Sequence, residues 1–264
     1  MLFRADGEQV IAIAQPSHSW LSGQILRAWG NDRFAPPSPR EEVCLGAELH
    51  DIGWLPWEAA PTLNPATGRP HDFREVDVRT HTELWTNGVR LAQAFGLYPA
   101  LLISRHADTI YGAALSRGAK SPPDAALVRA FLEEQHALQR DLARRLSADV
   151  HVGADTTPEA LERNRLLLGA ADFMSLEIGW GVVEEEARIP RVPAGDGRMT
   201  ELRMTSPGRD PGNLTVDPWP FTSERVELRC EGRRLRQRFT DEETMRQALN
   251  ETEPLTLVTV LRPS

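Results

Sequence analysis

Residues 166–181 read LLLGAADFMSLEIGWG, an unusually apolar stretch interrupted by the carboxylate of Asp172. Upstream, Thr157 followed by Pro158 is a typical helix start, because threonine caps the first turn and proline has no N–H to leave unpaired there. An apolar segment of this length is too long for an ordinary strand. The sequence therefore predicts a long, largely buried helix from residue 158 to about residue 186.

Apolar residues recur at helical spacing in the segments that precede this helix. Val78, His81, Trp85 and Val89, for example, share one stripe, which is the pattern of a helix with one buried face. A proline-rich, irregular segment at residues 54–73 interrupts the pattern, and loops of this length are usually functional or disordered. The predicted helices cover residues 16–30, 40–51, 75–95, 99–116, 122–146 and 158–186.

The composition changes in the last third of the chain. Residues 191–220 are rich in glycine and proline, and strand-like runs follow at 225–230 and 256–261. Near the N-terminus, residues 9–14 alternate weakly and indicate one short strand. We expect this strand to join the two C-terminal ones.

Two structural units follow from this change in composition. We interpret residues 1–189 as one helical domain and residues 190–264 as a Gly/Pro-rich linker with a small β appendage. The predicted fold class is mainly α, a helical bundle with a small C-terminal antiparallel β appendage, α+β overall.

Charge and cysteine content restrict the expected partners and compartment. The 264-residue chain has a formal net charge of −8, so it has no positive field to attract nucleic acid or an anionic membrane surface. Cys44 and Cys230 suit a reducing compartment, and the N-terminus lacks the apolar run of a secretion signal. No segment approaches the roughly 18 apolar residues of a membrane span. We therefore expect a cytoplasmic protein with no nucleic-acid or membrane partner.

The strongest local signal is the dipeptide His50-Asp51 at the predicted end of a helix, where both side chains can turn towards one point. A carboxylate has two oxygens, so Asp51 is able to bridge two ions. Three further histidines lie on apolar helical stripes, and Asp172 is a carboxylate inside an apolar segment. The candidate ligands of a metal site are His18, His50, Asp51, His81, His106 and Asp172.

Each of these residues also has a simpler structural interpretation. A single inward histidine is more often a core residue with satisfied hydrogen bonds than a metal ligand, and Asp172 alone fits a buried salt bridge equally well. Four inward histidines on four predicted helices, with two buried carboxylates, are harder to explain separately, because a buried charge needs a partner. The set as a whole favours a metal site.

The order His, His-Asp, His, His, Asp on successive helices resembles the HD-domain superfamily of metal-dependent phosphohydrolases, especially its dinuclear branches. A bacterial family of HD-like proteins is similar in the stretches QPSHSWLSGQILRAWG, HDIGW, TGRPHDF, HTELW, LLISRH and DPWPF. This resemblance implies an HD-like helical fold in which His18, His50, Asp51 and Asp172 hold one ion. It further implies that Asp51 bridges to a second ion held by His81 and His106.

A dinuclear site of this kind would activate water and clamp the oxygens of a phosphoester. Histidine and carboxylate ligands suit two divalent transition-metal ions, with Fe or Mn favoured and Zn, Ni or Co possible. Arg69 and Arg105 are candidate clamps for a small anionic substrate, although each also fits a surface salt bridge. The predicted catalytic residues are Asp51, Arg69 and Arg105.

The leading functional hypothesis is a metal-dependent hydrolase that acts on a small phosphorylated metabolite or nucleotide. Two alternatives stay open: a di-iron oxygenase similar to the inositol oxygenases, and a non-catalytic binding protein whose helices are stapled by metal. Trp54 stands where HD-GYP phosphodiesterases carry a lysine, so cyclic dinucleotides are not expected as substrates.

Overall fold

The computed structural model describes residues 1–112, 115, 121–181 and 186–264. Its α-helices are α1 (Gln15–Ala28), α2 (Arg40–Glu48), α3 (Leu55–Ala59), α4 (Val78–Ala92), α5 (Leu97–Ala107), α6 (Pro122–Leu146), α7 (Pro158–Trp180) and α8 (Glu242–Glu251). Its strands are β1 (Leu2–Asp6), β2 (Gln9–Ile13), β3 (Leu63–Asn64), β4 (Arg69–Pro70), β5 (Glu186–Pro193), β6 (Met199–Thr205), β7 (Asn213–Asp217), β8 (Val226–Leu235) and β9 (Leu255–Pro263).

Seven of these strands form one sheet in the order β1-β2-β8-β9-β7-β6-β5. Its neighbouring strands are antiparallel, except that β7 and β9 run parallel. The N-terminal hairpin enters the sheet through β2, where Val10 lies opposite Leu235 of β8. Strands β3 and β4 form a separate hairpin. The large sheet therefore joins the two ends of the chain.

This sheet corrects the predicted fold class. A mainly α bundle with a small C-terminal antiparallel appendage is wrong, because the strands form a large curled sheet that includes both ends of the chain and one parallel pair. The stretch 191–220, predicted as a linker, contains β6 and β7. Its glycines and prolines lie largely in the turns around these strands, and they obscured the short alternating runs between them.

The helical layer and the sheet share their core. Helix α1 packs on β8, and α7 packs on β1 and β5, while both helices also pack against each other. Leu21 of α1, Leu168 of α7 and Leu228 of β8 belong to one continuous cluster of buried apolar side chains. Helices α1 and α7 therefore connect the sheet to α2 and α5, which pack on their other sides.

The predicted start of α7 is confirmed, and its predicted end is wrong. The Thr157 hydroxyl accepts a hydrogen bond from the backbone N–H of Ala160 at 3.2 Å, and Pro158 occupies the first turn. The helix stops at Trp180 because Gly181 adopts a left-handed conformation with φ 86°, which closes the last turn. The predicted end of another helix, at residue 116, lies outside the described residues.

None of the helices in the described parts of the chain is long and apolar enough to cross a membrane. The two cysteines, Cys44 on α2 and Cys230 on β8, are buried free thiols. Each fits the role of a small core residue.

Candidate metal centre

Five of the six candidate ligands meet where four parts of the helical layer converge. His18 lies on α1, His50 and Asp51 lie in the turn after α2, His106 lies in the last turn of α5, and Asp172 lies in the middle of α7. All five are buried. Because the segments that carry them pack against one another, the cluster is held by the core of the molecule and not by a surface loop.

A glycine pair allows the His50-Asp51 turn to reach this position. The backbone of Gly53 lies against Gly88 of α4, and a Cβ at Gly53 would fall 2.0 Å from the carbonyl oxygen of Leu84. No side chain fits at that distance, so only glycine permits the turn to touch α4. The Gly53 of the HDIGW motif therefore has a packing reason that concerns the position of Asp51.

The hydrogen bonds of His18 define its tautomer. The Ser175 hydroxyl donates to the carbonyl oxygen of Asp172 at 2.7 Å and accepts from the Ser22 hydroxyl at 3.0 Å. The only hydrogen of the Ser175 hydroxyl is thereby used. His18 Nδ1, which lies 2.7 Å from Ser175 Oγ, must therefore be the donor of the hydrogen bond between them. This leaves His18 Nε2 directed at Asp51 Oδ2, 2.9 Å away.

His50 is oriented in the same way. Its Nδ1 donates to the carbonyl oxygen of Ala47 at 2.7 Å, and a histidine that donates one ring N–H to a backbone carbonyl presents the other nitrogen as a ligand. His50 Nε2 lies 3.4 Å from Asp172 Oδ1 and 3.6 Å from Asp51 Oδ2. His106 Nε2 lies 3.1 Å from Asp172 Oδ2.

Three imidazole nitrogens thus face oxygen atoms of two carboxylates inside the protein. Neutral imidazole nitrogens and carboxylate oxygens are both acceptors, and acceptors at these distances repel unless a cation lies between them. The described residues contain two groups whose ligand atoms all lie within 4.8 Å of one another. One group is His18, His50 and Asp51, and the other is His50, His106 and Asp172. The arrangement is suited to a proton or a metal ion.

The pKa values show that the cluster holds negative charge. Burial opposes ionisation of Asp172, but hydrogen bonds from His106 and His50 lower its pKa well below the usual range. Burial by itself lowers the pKa of His50, but Asp51 and Asp172 outweigh it and raise this pKa to about 9. Burial dominates at His106, whose pKa is lowered. Two ionised carboxylates therefore outweigh the one positive charge of His50, and the negative charge that remains attracts a cation.

The two ligand groups share His50, and this limits how many ions they can hold. His50 has one free nitrogen because its Nδ1 is used by Ala47, and one imidazole nitrogen binds one ion. In this arrangement an ion bound through His50 is therefore held either with His18 and Asp51 or with His106 and Asp172. The expected pair of ions stays a prediction. A second ion could not use His50 and would need a carboxylate oxygen that the first ion leaves free.

His81, the sixth candidate ligand, lies at the edge of the cluster. It lines the same cavity but is not part of either close ligand group in the described residues. Its Nδ1 is hydrogen-bonded to the hydroxyl of Tyr111, and its ring contacts Trp54 with 5.3 Å between ring centroids. Burial raises the pKa of Tyr111 far above its usual range, so this hydroxyl keeps its proton.

The cavity beside the cluster has a volume of about 60 Å³, which is room for an ion and one or two waters. Trp85 stacks on His106 within it, at 5.7 Å between ring centroids. Four of its lining residues are half-buried, namely Phe73, His81, Ile110 and Leu176. The cavity is lined by Gln15, His18, His50, Asp51, Trp54, Phe73, His81, Trp85, His106, Ile110, Asp172 and Leu176.

The two arginines proposed as substrate clamps lie elsewhere. Arg69 is on the β3–β4 hairpin, and neither it nor Arg105 lines the His/Asp cavity. The Arg105 guanidinium lies 3.4 Å from Glu162 and lines a second, larger cavity. Although Arg105 precedes His106 in sequence, successive helical residues point in different directions, so adjacency along the chain does not place both side chains in one site.

Sequence reasoning missed the residues that orient the ligands. Ser175 and Ser22 fix the ring of His18, and the carbonyl of Ala47 fixes the ring of His50. A signal was present for the two serines, because Ser22 follows His18 by one helical turn and Ser175 follows Asp172 by three residues. No sequence signal marks a backbone carbonyl.

Fold and cluster together define a class: an α+β protein whose helical layer carries a buried candidate metal centre of three histidines and two aspartates. The family model described as "Protein of unknown function (DUF3891)" matches residues 1–237, and the chain belongs to this family. No curated protein and no solved structure matches the chain. The matched range contains all six candidate ligands but ends before β9, which lies between β8 and β7 in the sheet.

Proposed function

We propose that this protein is a metal-dependent hydrolase whose His/Asp cluster binds a divalent transition-metal ion. The observation that carries the proposal is the direction of the ring protons. His18 and His50 donate theirs outward, to Ser175 and Ala47, and turn their Nε2 atoms towards the carboxylates. Such outer hydrogen bonds are the usual way in which proteins orient ligand histidines.

The donor set favours particular ions. Three imidazole nitrogens with carboxylate oxygens suit Fe, Mn, Zn, Ni or Co better than Ca, which prefers oxygen ligands alone. A bound ion of this kind lowers the pKa of a coordinated water and polarises the bond to be cleaved. Because Asp51 and Asp172 are both ionised next to this position, either is able to accept the proton of an attacking water.

His81 is the proposed proton donor to the leaving group. In its protonated, imidazolium form His81 would donate Nδ1–H to the Tyr111 oxygen and give its Nε2 proton to the leaving group, which leaves a neutral imidazole. His81 is partly exposed and lines the cavity. A group at the boundary between cluster and solvent is able to donate a proton and to be reprotonated from water.

The shape of the cavity supports a small substrate. Its volume of about 60 Å³ admits a single phosphoryl-sized group, and its half-buried wall residues Phe73, Ile110 and Leu176 offer apolar contact for the rest of the molecule. Neither arginine nor lysine lines it among the described residues. An anionic group would therefore be held by the ion, which makes small phosphoesters the first class to test.

The test is a metal analysis followed by an activity panel. The full-length chain is purified without added metal and analysed for bound transition metals, then assayed on small phosphomonoesters and phosphodiesters. We expect about one tightly bound ion per chain and release of phosphate or alcohol that stops with chelator. His81→Gln should lower kcat and keep the metal. Iron binding with oxygen consumption and no hydrolysis would support the oxygenase alternative and contradict the hydrolase.

A further inference from the structure

A second cavity, of about 780 Å³, lies among the turn at Asp108–Gly112, helix α7 and strand β5. Three arginines from three elements line it: Arg105 of α5, Arg165 of α7 and Arg191 of β5. In a chain of net charge −8, a concentration of guanidinium groups around one cavity is a local reversal of the prevailing charge. Such reversals attract small anions.

A single carboxylate, Glu162, serves all three arginines. Arg165 forms a two-point pair with it, at 2.8 and 2.6 Å, and donates its remaining Nη1 to Thr109 at 2.5 Å. By contrast, Arg105 reaches Glu162 only at 3.4 Å and Arg191 only at 3.9 Å. The hydrogen-bonding capacity of Arg165 is thus largely used, whereas Arg105 and Arg191 are held loosely.

Arg105 also has a buried donor without a partner. Its Nε atom is inaccessible to solvent and makes no hydrogen bond in the described structure, although the side chain as a whole is 22% exposed. An unsatisfied buried N–H is destabilising, and more so in a charged group. The site therefore has an incomplete set of acceptors.

The backbone at Arg191 is unusual. Its φ is 58°, in the left-handed region that a non-glycine residue rarely adopts. It lies at a register shift of the β5–β6 pair, between Ile189 and Val192. Bulges of this kind re-aim a side chain relative to its sheet, and backbone strain concentrates at functional sites. Here the bulge brings Arg191 to the cavity.

The other carboxylate that lines the cavity is hydrogen-bonded to side chains outside it. Asp108 lies 2.6 Å from His136 Nε2 and accepts a hydrogen bond from the Gln139 amide at 3.4 Å. Three guanidinium groups and the two carboxylates of Asp108 and Glu162 therefore line the cavity, and positive charge is in excess. The rest of the wall is apolar and includes Leu166, Ala170 and Phe173 of α7 with Ile189 of β5.

We propose that this cavity, called here the arginine cavity, is a binding site for a small organic phosphate. Arg105 and Arg191 approach from different elements, which matches the several acceptor oxygens of a tetrahedral anion better than one planar carboxylate. The apolar wall would contact the organic part of the ligand. Glu162 occupies the arginines when no ligand is bound and is displaced by it. The site is separate from the His/Asp cavity and does not depend on the proposed hydrolysis.

Titration calorimetry on the full-length chain tests this assignment, with phenylphosphonate, which has no phosphoester bond to hydrolyse, and inorganic phosphate as probes. Arg105→Gln should weaken phenylphosphonate binding by about tenfold, as expected for loss of one charge-assisted contact. Glu162→Gln should strengthen binding by about threefold or more, because the competing carboxylate is gone. A purely structural ion-pair cluster would not show this gain.

The matched controls come from the β5–β6 strand pair, which also carries Arg191. Arg188 of β5 is exposed and pairs with Glu186 and Glu201, away from the cavity, so Arg188→Gln and Glu201→Gln should leave the affinity unchanged. Repeating the titration with chelator separates this site from the His/Asp cluster, since binding to a metal ion would disappear. Unchanged affinity in both Arg105→Gln and Glu162→Gln, or equal binding of benzoate, would overturn the proposal.

Discussion

The two cavities occupy opposite sides of one wall and differ in almost every physical property. His106 and Asp172 face the His/Asp cavity, whereas their neighbours Arg105 and Phe173 face the arginine cavity. The first, of about 60 Å³, is lined by buried histidines and aspartates, while the second, of about 780 Å³, is lined by three arginines. One residue along a helix, a rotation of about 100°, is enough to reverse the ligand that a site prefers, from a cation to an anion.

Rigidity separates the two cavities as well. Ligand positions in the His/Asp cluster are fixed by backbone carbonyls and buried serines, whereas the arginine cavity relies on long side chains around one half-exposed carboxylate. Changes near the cluster should therefore have large effects, and changes near the arginines should have small ones. The following predictions test that contrast, beginning with the largest.

Gly53→Ala should have the largest effect of all. The added Cβ would lie 2.0 Å from a backbone oxygen of α4, so the His50-Asp51 turn must move. We expect a loss of at least about 3 kcal/mol in the free energy of unfolding, together with loss of bound metal. Chemical denaturation and metal analysis measure both.

Gly169→Ala is the matched control for that substitution. Its Cβ would meet Thr109 at 3.4 Å, an ordinary contact, on the arginine side of α7. Alanine also favours a helix interior. We expect unchanged or slightly higher stability with full metal content, and a large loss here would refute the contrast between the two sides.

Asp172→Asn should weaken metal binding by more than about 100-fold. Removing a residue that only orients a ligand typically weakens binding by about 10- to 100-fold, and the loss of a ligand should exceed this. The amide keeps the shape but loses the charge that faces His50 and His106. Because an ion that binds only the folded chain stabilises it, chelator should lower the Tm of the wild type and not of this variant. Equal melting of the wild type with and without chelator would leave the metal no structural role.

Metal affinity should increase with pH up to about 9 and then level off. His50 has a pKa of about 9 in the metal-free chain, so an ion must displace its proton at lower pH, at about tenfold in affinity per pH unit. The stability of the metal-free chain should change with pH in the opposite direction: the contribution of His50 to the free energy of unfolding falls as pH rises. A histidine pKa raised above the unfolded value of about 6.5 stabilises fully below that pH, and this contribution is lost as pH rises through about 9.

Calorimetry of metal binding between pH 6 and 10, with melting curves in chelator over the same range, checks both signs. Phosphate binding in the arginine cavity provides the comparison above about pH 8, where guanidinium groups stay charged and the second ionisation of phosphate, at a pKa of about 6, is complete. A metal affinity that is flat over this range would mean that His50 is not a ligand.

Ser175→Ala should produce the smallest change, about a tenfold loss of metal affinity. The substitution removes the acceptor for His18 Nδ1 and leaves the ligands in place. Ser19→Ala is the control, since the buried Ser19 hydroxyl bonds only to the carbonyls of Pro16 and Glu48 in the described structure. Equal affinities in the two variants, measured by competition with a chromogenic chelator, would show that the orientation of His18 does not matter.

Helices and their inward faces were predictable because their signal is local. The stripe of Val89 and Trp85 on α4 and the Thr157 cap of α7 depend on residues within a turn or two of each other. The sheet was not predictable to the same degree. Strands β6 and β7 are short and alternate between buried and exposed positions, and β2 pairs with β8 over two hundred residues later in the chain.

The sequence by itself determined which residue types were available to a buried site: histidines on apolar helical faces, a His-Asp dipeptide at a helix end, and a carboxylate in an apolar helix. Only the tertiary structure decided which of them meet. It brought His18, His50, Asp51, His106 and Asp172 together, left His81 outside the two close ligand groups, and placed Arg105 at the arginine cavity. The reason is that periodicity specifies the face of a helix on which a side chain lies, whereas the neighbour of that face depends on how distant segments pack.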